Sequence, residues 1–251
     1  MVGRGACPPG ARTKRAMPSG LLDHRSIPLC VAALLAVGCG ASAPVRPAIV
    51  DAAPTEQIDT GPTSYESEIG GMNEYAVDDM FKALARPIQR CFDEGLSRVE
   101  QLGGSFTVSF RVDRKGGTRW AYMSSSTIGD RATESCILDI VRSKTWPKPL
   151  SGEGLAKKTV DIEPSSKPHV LDGKRAKSTI VLAKSRTATC RKGVRGAFLA
   201  TAYLEPDGRV RTAGLAPPDE KAESVVDCVI GELQKLKFSA SGKLAKVTFE
   251  I

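Results

Sequence analysis

Residues 104–136 read GSFTVSFRVDRKGGTRWAYMSSSTIGDRATESC, and residues 196–228 read GAFLATAYLEPDGRVRTAGLAPPDEKAESVVDC. Gly104, Gly116 and Cys136 in the first stretch answer to Gly196, Gly208 and Cys228 in the second, spaced by 12 and then 20 residues in both. Few residue types coincide: Phe106 with Phe198, Arg119 with Arg211, Ala121 with Ala213. A layout kept where identities are lost marks an internal duplication, in which each copy is one supersecondary unit. Inside the first copy, Phe106, Val108, Phe110 and Val112 alternate with polar residues, which predicts a half-buried strand. Asp113 to Gly117 supplies a turn, and Thr118–Ser124 returns as the hairpin partner. Asp130 is placed to cap a helix whose predicted apolar face is Ala132, Cys136, Ile137, Ile140 and Val141.

Working outward, Val77, Phe81, Leu84, Ile88 and Cys91 step by four and three residues along one helix face, interrupted by Pro87, where a kink is expected. Trp146 and Pro147 end the second helix, and Lys158–Ile162 forms a last strand. The second copy repeats the plan. Its first helix is expected over Lys177–Arg191, its strand face is Phe198, Ala200, Ala202 and Leu204, and its second helix presents Val225, Cys228, Val229, Leu233 and Leu236. Phe238 takes the place of Trp146, and Leu244–Ile251 aligns with Leu155–Ile162. The fold class predicted is α+β: two tandem αββαβ modules, each with two helices on a three-stranded antiparallel sheet. Module 1 spans 74–164, an interdomain linker 165–175, and module 2 176–251.

The N-terminus reads as an address. Residues 27–38, IPLCVAALLAVG, form an apolar run too short to span a bilayer comfortably, preceded by basic residues and ending in small ones. Residues 1–38 are therefore expected to be a signal peptide, with Met17 a candidate start. The ending resembles a bacterial lipobox, with Gly38 before Cys39 and Ala36 where Leu is commonest. That resemblance implies a lipid on Cys39, an anchor of several acyl chains at about 0.8 kcal/mol per buried methylene. The competing reading is an ordinary signal peptide cut near Ala43. Gly40 is not the Asp of inner-membrane retention, so an outer-membrane anchor with the folded part facing the periplasm is the expected location. Residues 39–73, rich in Ala, Pro, Thr, Ser and Gly, are expected to be a disordered tether. Its reach is on the order of 100 Å at about 3.3 Å per residue.

Seven cysteines divide into Cys7, Cys30 and Cys39 near the N-terminus and Cys91, Cys136, Cys190 and Cys228 in the repeats, two per copy. An even number in an exported protein favours disulfides over buried thiols. A bond from Cys91 to Cys136 would close a loop of about 45 residues, a constraint on the order of 4 kcal/mol.

Composition narrows the chemistry. The net charge of +8 owes much to residues 1–38, whose five bases and one acid leave a balance of +4 when removed. The remaining basic runs are short and lack interleaved aromatics, so they read as solvated surface and no nucleic-acid partner is expected. The two histidines are His24, in the leader, and His169, in the linker, and no C-x-x-C pair occurs. No metal site, cofactor or small-molecule substrate is expected, and no phosphate-cradling or nucleophile motif appears. Ser124–Ser126 reads as a strand exit without a histidine to activate it. Trp120, Tyr122 and Tyr203 read as sheet-packing aromatics, with an exposed recognition surface as the alternative.

Repeat one resembles the AgmX/PglI C-terminal domain, a module of bacterial envelope proteins. The resemblance rests on Ile88-Gln89-Arg90-Cys91-Phe92, Gly104, the Gly116 turn, Ser124–Ser126, Cys136-Ile137 and Trp146-Pro147. It covers about 85 residues. Repeat two keeps the cysteines, glycines and strands but lacks the serine run and the Trp-Pro pair. The family is similar to the TonB C-terminal fold and implies a periplasmic, non-catalytic module with an intradomain cysteine pair and no catalytic residues. The expectation is a lipoprotein that binds envelope proteins as a scaffold. The alternatives are binding of peptidoglycan or another wall polymer, and service as an accessory subunit of an energy-transducing or motility complex.

Overall fold

A computed structural model gives the structure of the chain and describes residues 71–251. The leader, Cys39 and the tether up to residue 70 lie outside the described residues. The order of elements is α1 (Glu74–Leu96), β1 (Gly104–Val112), β2 (Thr118–Ser126), α2 (Arg131–Arg142), β3 (Gly154–Ile162), β4 (His169–Val170), α3 (Gly173–Thr187), β5 (Leu199–Leu204), β6 (Val210–Ala216), a 3-10 turn (Lys221–Val225), α4 (Val226–Leu233) and β7 (Ala245–Glu250). The class is α+β.

Local rules explain most of the first half. Asn73 caps α1 by accepting the Ala76 N–H, and the stripe Val77, Phe81, Leu84, Ile88 and Cys91 is buried. Pro87 lies inside α1 and does not end it. Asp130 caps α2 by accepting the Thr133 N–H. β1 pairs antiparallel with β2 and with β3, giving the order β2-β1-β3. Its inward residues Phe106, Val108, Phe110 and Val112 are wholly buried. Trp146 closes this core, 4.3 Å from Phe110 between ring centroids, and donates its indole N–H to the Val141 carbonyl.

The duplication holds at the level of single hydrogen bonds. Trp146 donates its backbone N–H to Gly116, and Phe238 donates to Gly208, both at 2.8 Å. Asp113 pairs with Gly117 as Glu205 does with Arg209, and the bridge Gly117–Thr145 recurs as Arg209–Lys237. Gly116 and Gly208 both have positive φ, 93° and 87°, and a Cβ at either would strike the carbonyl of Trp146 or Phe238. That is why the two glycines persist where little else does.

Four expectations need correction. The second sheet is four-stranded and mixed, in the order β4-β7-β5-β6, with β4 parallel to β7. β4 comes from the stretch expected to be a linker. There, Leu171 is buried, Asp172 caps α3 and Ser165 donates to the Glu100 carbonyl. α3 therefore runs over Gly173–Thr187, and Cys190 lies in the turn after it. The last strand is shifted by two residues from the expected alignment. Leu155 stands opposite Arg111, and Lys246, not Leu244, stands opposite Tyr203, the counterpart of Arg111. A shift of two leaves every side chain on its own face, so the pattern alone did not distinguish the registers. Finally, the buried face of α2 is Thr133, Glu134, Ile137, Leu138 and Val141, while Ala132 is exposed. The face is turned because the second half also covers α2.

Candidate functional site: sheet edges and the contact between the halves

Each sheet ends in strands with one strand neighbour among the described residues, and the surroundings of these edges differ. At one edge of the second sheet, β4 lies along β7, with His169 opposite Ala245 and Val170 opposite Lys246. The corresponding strand of the first sheet, β3, has β1 as its one strand neighbour among the described residues. Lys158 on this edge points inward, 4% exposed, and its ammonium lies 2.7 Å from Asp78 Oδ1 on α1. Matched through the strands they pair with, Lys158 (opposite Val108) corresponds to Phe249 (opposite Ala200). An inward charge discourages indiscriminate pairing at an open edge. Among the described residues, lysine stands on the edge that shows no added strand, and phenylalanine on the edge that has one.

The other edges meet between the halves. Glu134 on α2 is fully buried, and its carboxyl accepts the Ser126 hydroxyl at 2.6 Å and the backbone N–H of Leu215 on β6 at 3.0 Å. Burial pushes its pKa up to about 7, against the opposing pull of those two hydrogen bonds. Thr212 donates to the Gly129 carbonyl, and Lys246 to the Gly103 carbonyl at 2.7 Å. Among the described residues Lys246 pairs with no carboxylate, and burial lowers its pKa to about 8. Arg131 bridges to Asp227 at 2.8 Å and to Glu223 at 3.1 Å. Burial pulls the Arg131 pKa down, but these carboxylates outweigh it and hold it above its ordinary value. Tyr203 belongs to the first half's core although it sits on β5, and burial raises its phenol to about 12.

The residues singled out from sequence fall as follows. The structure joins Cys91 to Cys136 (Cα–Cα 5.9 Å) and Cys190 to Cys228 (5.7 Å), which fits disulfide pairing within each copy. Cys39 lies outside the described residues. Ser124 donates to the Thr107 carbonyl and Ser126 to Glu134, so both are engaged in the sheet and its flank. Trp120 and Tyr122 sit half-buried on the outer face of the first sheet, 5.7 Å apart, with Arg111 over the Trp120 ring. His169 is exposed on β4. Among the described residues no cluster of three or more His, Cys, Asp or Glu is placed to hold a metal ion. Among the same residues no helix is long and apolar enough to cross a membrane.

Glu134, Arg131 and Lys246 were missed from sequence. One signal was present: Glu134 precedes Leu138 and Val141 by four and seven residues, so a carboxylate sits within the apolar period of α2. Compared with known proteins, the chain matches no family model, no curated protein and no solved structure.

Proposed function

We propose that this chain is a non-catalytic envelope lipoprotein, anchored through Cys39 in the outer membrane with its folded part facing the periplasm. It acts as a scaffold that binds another envelope protein along the edge of β3. The reading draws on the resemblance of repeat one to the AgmX/PglI C-terminal domain and, through it, to TonB C-terminal folds, an analogy of fold. The observation that carries it is internal: β7 takes an added strand, β4, while β3, in the same place in the first copy, has none among the described residues. Backbone pairing supplies affinity in such an addition, and side-chain pockets supply selectivity.

The test is photo-crosslinking in intact cells, with a photoreactive residue at Thr159 on β3 and, as control, at Val181, which is exposed on α3. A reproducible adduct with one envelope protein from Thr159 alone supports the reading. Equal adducts from both positions, or none, would sink it. The second reading, binding of a wall polymer, draws on the Trp120–Tyr122 pair and the Arg111 guanidinium. Co-sedimentation with purified peptidoglycan, lost in Trp120→Ala, would favour it.

A further inference from the structure

The boundary between the two halves closes on a carboxyl group that no cation among the described residues holds by hydrogen bond. Glu134 has zero exposure, and its acceptors are spent on a hydroxyl, Ser126, and a backbone amide, Leu215. Gly214 makes the fit possible, because a Cβ there would lie 2.3 Å from Glu134 Oε1. The charged groups around it are engaged elsewhere. At the N-cap of α2, Asp130 is bound by Arg98, and its charge raises the Glu134 pKa. Arg131 donates to Glu223 and Asp227 of the 3-10 turn and α4. Its charge pulls the Glu134 pKa down without a hydrogen bond, less strongly than burial raises it. Arg142 turns to the Ala121 carbonyl, Asp139 and Glu223. From β6, Arg211 reaches Glu205, and from β2, Arg119 reaches Glu153.

We propose that Glu134 is a proton-operated latch between the two halves: neutral, it holds α2 against the edge of β6; ionised, it loosens that contact and exposes the edge. β6 ends the second sheet, and the Leu215 amide that Glu134 occupies is an edge donor. The direction of the response follows from burial. A carboxyl at an ordinary 4.5 when open and about 7 when closed binds its proton more tightly in the closed form. The contact is therefore strongest in acid, weakens as pH rises through that interval, and is constant above it. Because the latch concerns β6 and proton binding, it stands or falls apart from the β3 reading.

The experiment is amide hydrogen exchange at Leu215 in the full chain, corrected for intrinsic rates, for the native protein and Glu134→Gln. Glutamine keeps the shape, with an oxygen for the Leu215 amide and a donor for Ser126. Protection in the native protein should fall roughly thirtyfold between about pH 5.5 and 8.5, while Glu134→Gln stays flat. The Glu134 carboxyl carbon, followed by NMR, should titrate near neutrality. A flat profile in the native protein, or titration at the ordinary glutamate value, would overturn the latch. Should Glu134→Gln fail to fold, the native protein's Leu215 profile and carboxyl titration decide alone.

Discussion

Tyr203, on β5 of the second copy, donates its hydroxyl to the carbonyl of Gln101 in the first copy at 2.9 Å. Its ring has no exposed surface and packs in the first copy's core, under the Lys246 ammonium at 5.1 Å. With Leu244, which also packs against that core, Tyr203 joins the two cores of the duplication. Residues 71–251 accordingly belong to one compact unit.

Truncating that tie should be costly. Tyr203→Ala removes a buried aromatic and leaves a cavity, a loss of about 3–5 kcal/mol. Tyr203→Phe loses the hydroxyl bond alone, about 1 kcal/mol. Calorimetry should show a single transition in the native protein and in Tyr203→Phe. In Tyr203→Ala the transition should split into two, since the halves lose their shared core residue. A single, merely lowered transition would mean that the remaining contacts suffice to couple them.

The two cysteine bonds close loops of 45 and 38 residues. Each should contribute about 4 kcal/mol by restricting the unfolded chain. Urea unfolding of Cys91→Ala/Cys136→Ala and of Cys190→Ala/Cys228→Ala measures this one bond at a time. A loss below about 1 kcal/mol in either would show that native packing already holds the helices together.

Lys158 guards the β3 edge from the inside. Lys158→Phe places there the residue that β7 carries at the matching position. The substitution leaves Asp78 without that cation and costs about 2 kcal/mol, less than for a fully buried pair because Asp78 keeps some water contact. It should also raise self-association, read by sedimentation velocity as a concentration-dependent increase over the native protein. Lys158→Arg keeps the charge and should sediment as the native protein does.

Lys246 sets a second slope of stability with pH, opposite in sign to that of Glu134. Its pKa is about 8 in the fold against an ordinary 10.5, so the unfolded chain binds more protons in that interval. Stability should therefore rise with pH between roughly 8 and 10.5. Thermal unfolding across that range should show the rise in the native protein and not in Lys246→Met. Equal slopes in the two proteins would exclude the assignment.

Local rules made much of the fold legible. Alternation along Phe106–Val112, the 3–4 period of α1, and the cap Asp130 act within a few residues, and each is present. The same rules failed where distant chain decides. A two-residue strand such as β4 has no period to read, and Leu171 is buried only because the chain beyond β4 brings it into the second core, its N–H bonded to the Lys246 carbonyl of β7. Of the candidate site, the cysteine pairs could be read from their matched positions. Glu134 and Lys246 could not, because each is buried by a neighbour that the spacing of one helix or strand does not reveal.

By itself the sequence determined the duplication: two hairpins with the same glycine turns, each followed by a helix that bears a cysteine. Backbone sterics and short-range periodicity suffice for that. Only the tertiary structure decided that β7 takes an added strand while β3 shows none among the described residues. It also decided that Glu134 of one copy seals β6 of the other. Both outcomes rest on which surfaces exclude water from each other, a property of segments some eighty residues apart.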